Sequence, residues 1–107
     1  MRICSIGMRS KGVSIVPNLF RVGGYLVYFW SNENDPLEPI HVHISEGRAV
    51  PNATKVWITS KGKTLLCNNA SQIPDRILSK LLKVIEANSD KIINDWLSHF
   101  GEIRFYC

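Results

Sequence analysis

The hydrophobic pattern of this chain changes period once, at Pro74, and that change limits the folds open to it. Before Pro74 the apolar residues come in short runs or alternate with polar ones, as strands require. After it Ile77, Leu78, Leu81, Leu82 and Ile85 fall three and four apart, and Ile92, Ile93, Trp96, Leu97 and Phe100 continue the stripe. Strands followed by helices predict an α+β fold: a small antiparallel sheet with the helical region packed on one face. The chain has 107 residues, the size of one domain and enough for one core. We divide it into a basic leader, 1–16, and a single α+β domain, 17–107.

About four strands are expected. Gly23-Gly24 marks a turn before the continuous apolar run Tyr25-Leu26-Val27-Tyr28-Phe29-Trp30. Ser31 to Pro36 reads as a loop, each residue being a turn former. Ile40-His41-Val42-His43-Ile44 alternates strictly, with the two histidines on one face and the aliphatic residues on the other. Thr54 to Thr59 repeats the alternation, placing Val56 and Ile58 opposite Lys55, Trp57 and Thr59. Thr64 to Cys67 suits a fourth strand after the Lys61-Gly62-Lys63 turn, and Val13, Ile15 and Val16 suit a short edge strand ahead of Pro17.

In the helical region Pro74 fits the first helical position and Asp75 the positive end of the dipole. Asn88-Ser89-Asp90 interrupts the stripe with capping residues, favouring two helical segments, a hairpin, over one kinked helix. Gly101 ends the second segment. Helices over the Val42, Ile44, Val56 and Ile58 face would leave His41, His43, Lys55 and Trp57 facing water or a partner.

Three cysteines, Cys4, Cys67 and Cys107, are too far apart for a zinc ribbon or a disulfide scaffold and suggest reduced thiols, with Cys67 a small buried hydrophobe. No apolar run is long enough for a signal peptide or a membrane span, so a cytoplasmic protein with no membrane role is expected. The net charge is +4, unevenly distributed. Arg2, Arg9, Lys11 and Arg21 meet no acid before residue 22, Glu33, Asp35, Glu38 and Glu46 form an acidic block, and Arg48, Lys55, Lys61 and Lys63 a basic one. This pattern admits contact with RNA or an acidic partner, as well as a solvated basic surface.

Taken together, Gly24-Tyr25 with the strand running into Ser31-Asn32-Glu33, Glu38-Pro39-Ile40-His41-Val42-His43-Ile44, Lys55-Val56-Trp57-Ile58, and Trp96-Leu97-Ser98-His99-Phe100-Gly101 resemble the bacterial domain of unknown function 4160. The resemblance covers residues 17–101. The chain departs from the family at Ile40, where members often carry a second proline, and at Ile73, where they often carry a serine. Members are often encoded beside another small protein, in pairs that look like toxin–antitoxin modules. The resemblance thus implies a cognate partner from an adjacent gene, but no catalytic residues.

Three chemistries remain for the His-x-His face. Two imidazoles on one strand could share a metal, with Glu33, Glu46 or His99 as a third ligand, but no spacing is diagnostic and no metal or other cofactor is assigned. His41 and His43, with Glu33 aimed at His41, could act as general acid and base of a metal-independent ribonuclease. Arg48 and Lys55 could neutralise phosphate and Trp57 stack on a base, or the same face could bind a partner protein or a second copy, giving a homodimer, without chemistry. Binding of a partner protein or RNA is the first reading and the ribonuclease the alternative, so whether the protein is an enzyme stays open.

Overall fold

The computed structural model describes residues 18–31 and 37–107. The basic leader and its expected edge strand, together with Glu33 and most of the acidic loop, lie outside these residues. Five strands, β1 (Asn18–Val22), β2 (Tyr25–Tyr28), β3 (His41–Glu46), β4 (Thr54–Ile58) and β5 (Thr64–Asn68), precede helices α1 (Asp75–Ala87) and α2 (Ser89–Phe100). The strands form one antiparallel meander in chain order, with β3 at its centre.

Among the described residues one strand more is present than the sequence pattern predicts. β1 escapes the period-two pattern because its pairing with β2 shifts between Asn18 and Phe20, so Leu19 and Phe20 stand adjacent without alternation. Gly23, at φ 58°, makes the tight connection to β2, a backbone region that favours glycine. β2 reads as continuously apolar because both its faces are covered. Val27 and Phe29 enter the main core, while Leu26 and Tyr28 enter a second cluster with Ala53.

The main core lies between the sheet and the helices, as the alternation predicts. Val42, Ile44, Val56 and Ile58 meet Leu78, Leu81 and Ile85 of α1 and Ile92 and Trp96 of α2. Ile77 and Leu97, at the margins of the expected stripe, are 37% and 43% exposed, so the apolar face is narrower than the sequence suggests. Pro74 sits one position earlier than expected, as the N-cap. Its extended ψ of 142° precedes the first helical turn, and its carbonyl accepts from Leu78 N. Asn88 divides the two helices, and its side chain donates back to Val84 O at 2.8 Å. Gly101, at φ 77°, closes α2 in the left-handed region.

Between β5 and α1 a polar network holds the chain crossing. Thr54 Oγ1 donates to Asn69 Oδ1, Asn69 Nδ2 to Ile73 O, and Ser71 Oγ to Ile44 O, at 2.7, 2.9 and 2.8 Å. At the other end of β5, Glu86 of α1 accepts from both the backbone N–H and the hydroxyl of Thr64, at 3.0 and 2.9 Å.

Those two bonds from Thr64, with a smaller contribution from the Lys63 charge, hold the Glu86 carboxyl below the usual carboxylate range against a small opposing effect of burial. A carboxylate whose folded value is depressed stabilises the fold above its unfolded value, about 4.3, and loses that contribution as pH falls through the lower folded value. Glu86→Gln should therefore lower the thermal midpoint at pH 6–7, and its difference from wild type should vanish in acid well below about pH 4. Thermal unfolding followed by circular dichroism across that range checks this; a difference independent of pH would contradict it.

Candidate functional site

The alternation of β3 places His41 and His43 on the face away from the α1 core, but that face is covered. His41 is 0% exposed and His43 8%, which corrects the expectation that the pair faces water. Lys55 and Trp57, beside them on β4, are half-buried. Strand periodicity reports which side chains share a face, not what packs on it.

Two segments supply the cover. The chain after β3 folds back over Tyr28, whose hydroxyl donates to Val50 O at 2.8 Å and accepts from Val50 N at 3.1 Å. Ala49, Val50, Ala53 and Trp30 pack around this ring, and the ring lies 5.5 Å from that of His43. The second segment is the chain after Gly101. α2 crosses one end of the sheet, from Ser89 beside the β4–β5 turn at Gly62 to His99, which reaches Ser31 after β2. The terminal residues then return across the same end, where Ile40 N donates to Arg104 O at 2.8 Å and Ser60 N to Cys107 O at 3.0 Å. Ile103 and Phe105 point to the core, and Tyr106 lies flat on Trp57, with ring centres 4.8 Å apart and planes 5° from parallel.

Inside this cover the rings form a continuous aromatic contact. His41 lies 5.0 Å from His43, 5.7 Å from Trp57 and 5.4 Å from Trp96, each edge to face. Its Nδ1 is 3.0 Å from Pro39 O. A carbonyl only accepts, so Nδ1 donates there and fixes the ring's tautomer and orientation. Trp96 is wholly buried, the core role its position on the helical stripe predicts.

The other expected residues divide into two groups. Lys55 and Trp57 come together, with Nζ 4.5 Å from the Trp57 ring centre and 2.5 Å from Glu38 Oε1. Among the described residues Trp57 stacks on Tyr106. Arg48 is exposed beyond the far end of β3, at least about 16 Å of strand from His41 at 3.3 Å per residue. Glu46 is exposed at that same end, and His99 is held by Ser31 O at 3.1 Å. Among the described residues no group of three His, Cys, Asp or Glu side chains could hold a metal. Cys67 is exposed, not buried, because it lies on β5, which ends the strand order and has all of Leu65–Asn68 at the surface. Glu33 lies outside the described residues.

Sequence reasoning missed Tyr106 and Glu38. Ile103-Arg104-Phe105-Tyr106 does alternate apolar and amphipathic residues, the signal that could have marked this segment as packing along the sheet. Among the described residues no helix is long and apolar enough to cross a membrane.

A five-stranded meander, one face under two helices and the other closed by a return loop and the terminal segment, defines a small α+β domain. Residues 24–97 match the family described as Domain of unknown function (DUF4160), and the chain belongs to that family. No curated protein and no solved structure matches the chain. Tyr106 and the rest of the terminal segment lie beyond the matched residues.

The Tyr28 hydroxyl is the anchor of the loop that covers His43. Tyr28→Phe should lower stability by about 1–3 kcal/mol, because the Val50 N–H loses its acceptor. It should also speed amide exchange at Val50 while leaving the helices unaffected. Denaturant unfolding together with residue-resolved hydrogen exchange measures both; an unchanged Val50 exchange rate would refute the anchoring role.

Proposed function

We propose that the protein is a non-catalytic binding component of a toxin–antitoxin-type module, and that it recognises single-stranded RNA on the Tyr106–Trp57 stack. The observation that carries this reading is the stack itself. Tyr106 is 57% exposed and lies parallel to Trp57, so one aromatic face is held rigid and turned outward. Such a surface accepts any nucleobase, because every base has a π-face, and stacking contributes roughly 1–3 kcal/mol per base. Lys55 stands beside the indole, Arg104 is exposed on the same terminal segment, and the chain carries a net charge of +4. These charges favour phosphate by a long-range, salt-dependent attraction.

Burial of both imidazoles counts against the ribonuclease reading. A general acid or base must come within about 3 Å of the proton it transfers, and His41 presents no surface to a substrate. The pair is better explained as part of the packing that supports Trp57. The cognate protein of the adjacent gene is then the second component, bound elsewhere on the domain.

Fluorescence anisotropy with a labelled single-stranded RNA tests the reading. Wild type should bind, with affinity falling steeply as salt rises. Tyr106→Ala should weaken binding by about 5–150-fold, the equivalent of one lost base stack. The RNA should remain intact throughout. Equal binding by the variant, or equal affinity for duplex RNA, would overturn the platform, and cleavage abolished by His41→Ala would restore the ribonuclease.

A further inference from the structure

The ammonium beside the aromatic stack is already occupied. Lys55 Nζ bonds Glu38 Oε1 at 2.5 Å and stands 4.5 Å from the Trp57 ring centre. Glu38 lies just ahead of β3 and Lys55 within β4, so the pair joins segments 17 residues apart in sequence. By contrast, Lys91 and Asp95 pair across one turn of α2, as solvated helix surfaces commonly do.

The two partners of the Lys55–Glu38 pair are unequally covered. The Lys55 side chain is 18% exposed and that of Glu38 46%. Lys55 is also held by its strand, between His43 of β3 and Asn68 of β5, and by the indole, whose face attracts a cation. The carboxylate, nearly half in water, is therefore the partner that can withdraw at little cost. Its withdrawal would leave an ammonium already placed beside the stack. Nζ and the Tyr106 ring cannot be further apart than 4.5 and 4.8 Å laid end to end, because both distances run to the Trp57 ring centre. That separation is comparable with the reach of a nucleotide from its base to a neighbouring phosphate.

We infer, on the basis of the RNA reading above, that Glu38 is an internal stand-in for phosphate, holding Lys55 until the backbone of a bound strand replaces it. Carboxylate and phosphate oxygens accept the same charge-assisted hydrogen bond from an ammonium. One can thus take the place of the other while Lys55 stays against Trp57. The released carboxylate turns to water, where its charge opposes the bound backbone and keeps the complex readily reversible. The exchange also favours nucleic acid over simple anions. An anion without a base only substitutes one acceptor for another, whereas a nucleotide adds the stack on Tyr106.

Titration of the full chain with a labelled oligouridine and, separately, with short-chain polyphosphate, which carries no bases, tests this exchange. Glu38→Gln should bind both probes about fivefold more tightly than wild type at low salt, with the gain fading as salt rises. Adding Lys55→Gln should abolish the gain, because no cation is then released. If Glu38→Gln proves unstable, Glu38→Asp, which keeps the charge but shortens the side chain, should give a smaller gain of the same sign. A polyphosphate gain with no RNA binding by either protein would remove the stacking platform and uphold the exchange. RNA binding by wild type with no gain, or a loss, in Glu38→Gln would leave the platform standing and overturn the exchange. A gain that survives Lys55→Gln would overturn it as well, by reducing the effect to a general loss of negative charge.

Discussion

Burying a pair of imidazoles on the central strand of a sheet is the constraint around which the second face of this domain is arranged. A buried polar ring carries a desolvation cost that a leucine in the same place would not, and it is tolerated only where packing and hydrogen bonding offset it. His41 donates a hydrogen bond from Nδ1–H to Pro39 O and packs among His43, Trp57 and Trp96. The neighbouring aromatic side chains then take their places from this centre. Trp57 is held between β3 and the terminal segment, and Tyr28 beside His43 carries the hydroxyl that fastens the covering loop.

The terminal segment links that centre to the surface. Its backbone bonds to Ile40 and Ser60 cross the ends of β3 and β4, while Ile103 and Phe105 join the helix-side core. Tyr106 is thereby placed on Trp57 by residues on both sides of the sheet. Rigidity of this kind suits a stacking surface, because a ring already fixed in orientation loses little further entropy on binding. The family match stops at residue 97, so Tyr106 lies outside the matched region while Trp57 beneath it lies within it.

Much of the helix side was legible in the sequence. The 3.6-residue stripe gave two helices, Asn88 their boundary and Gly101 their end, because these depend on local spacing and local caps. The inward pointing of Val42, Ile44, Val56 and Ile58 followed from period two. β1 was hidden because its bulge sets Leu19 and Phe20 side by side. The burial of His41 and His43 was hidden for a different reason. It depends on a loop and a terminal segment more than 50 residues away from β3 in the case of Tyr106, and no pattern within β3 records them. The aromatic ring that this face exposes is therefore Tyr106, above Trp57, and not the histidines.

The packing of this face requires His41 and His43 to be closed off while the domain is folded. Modification of histidines by diethyl pyrocarbonate, mapped by mass spectrometry on native protein, reads this directly. His99, at the surface of α2, should react rapidly, with His41 and His43 protected until denaturant unfolds the chain. Reaction of His41 or His43 at the rate of His99 in native protein would contradict it.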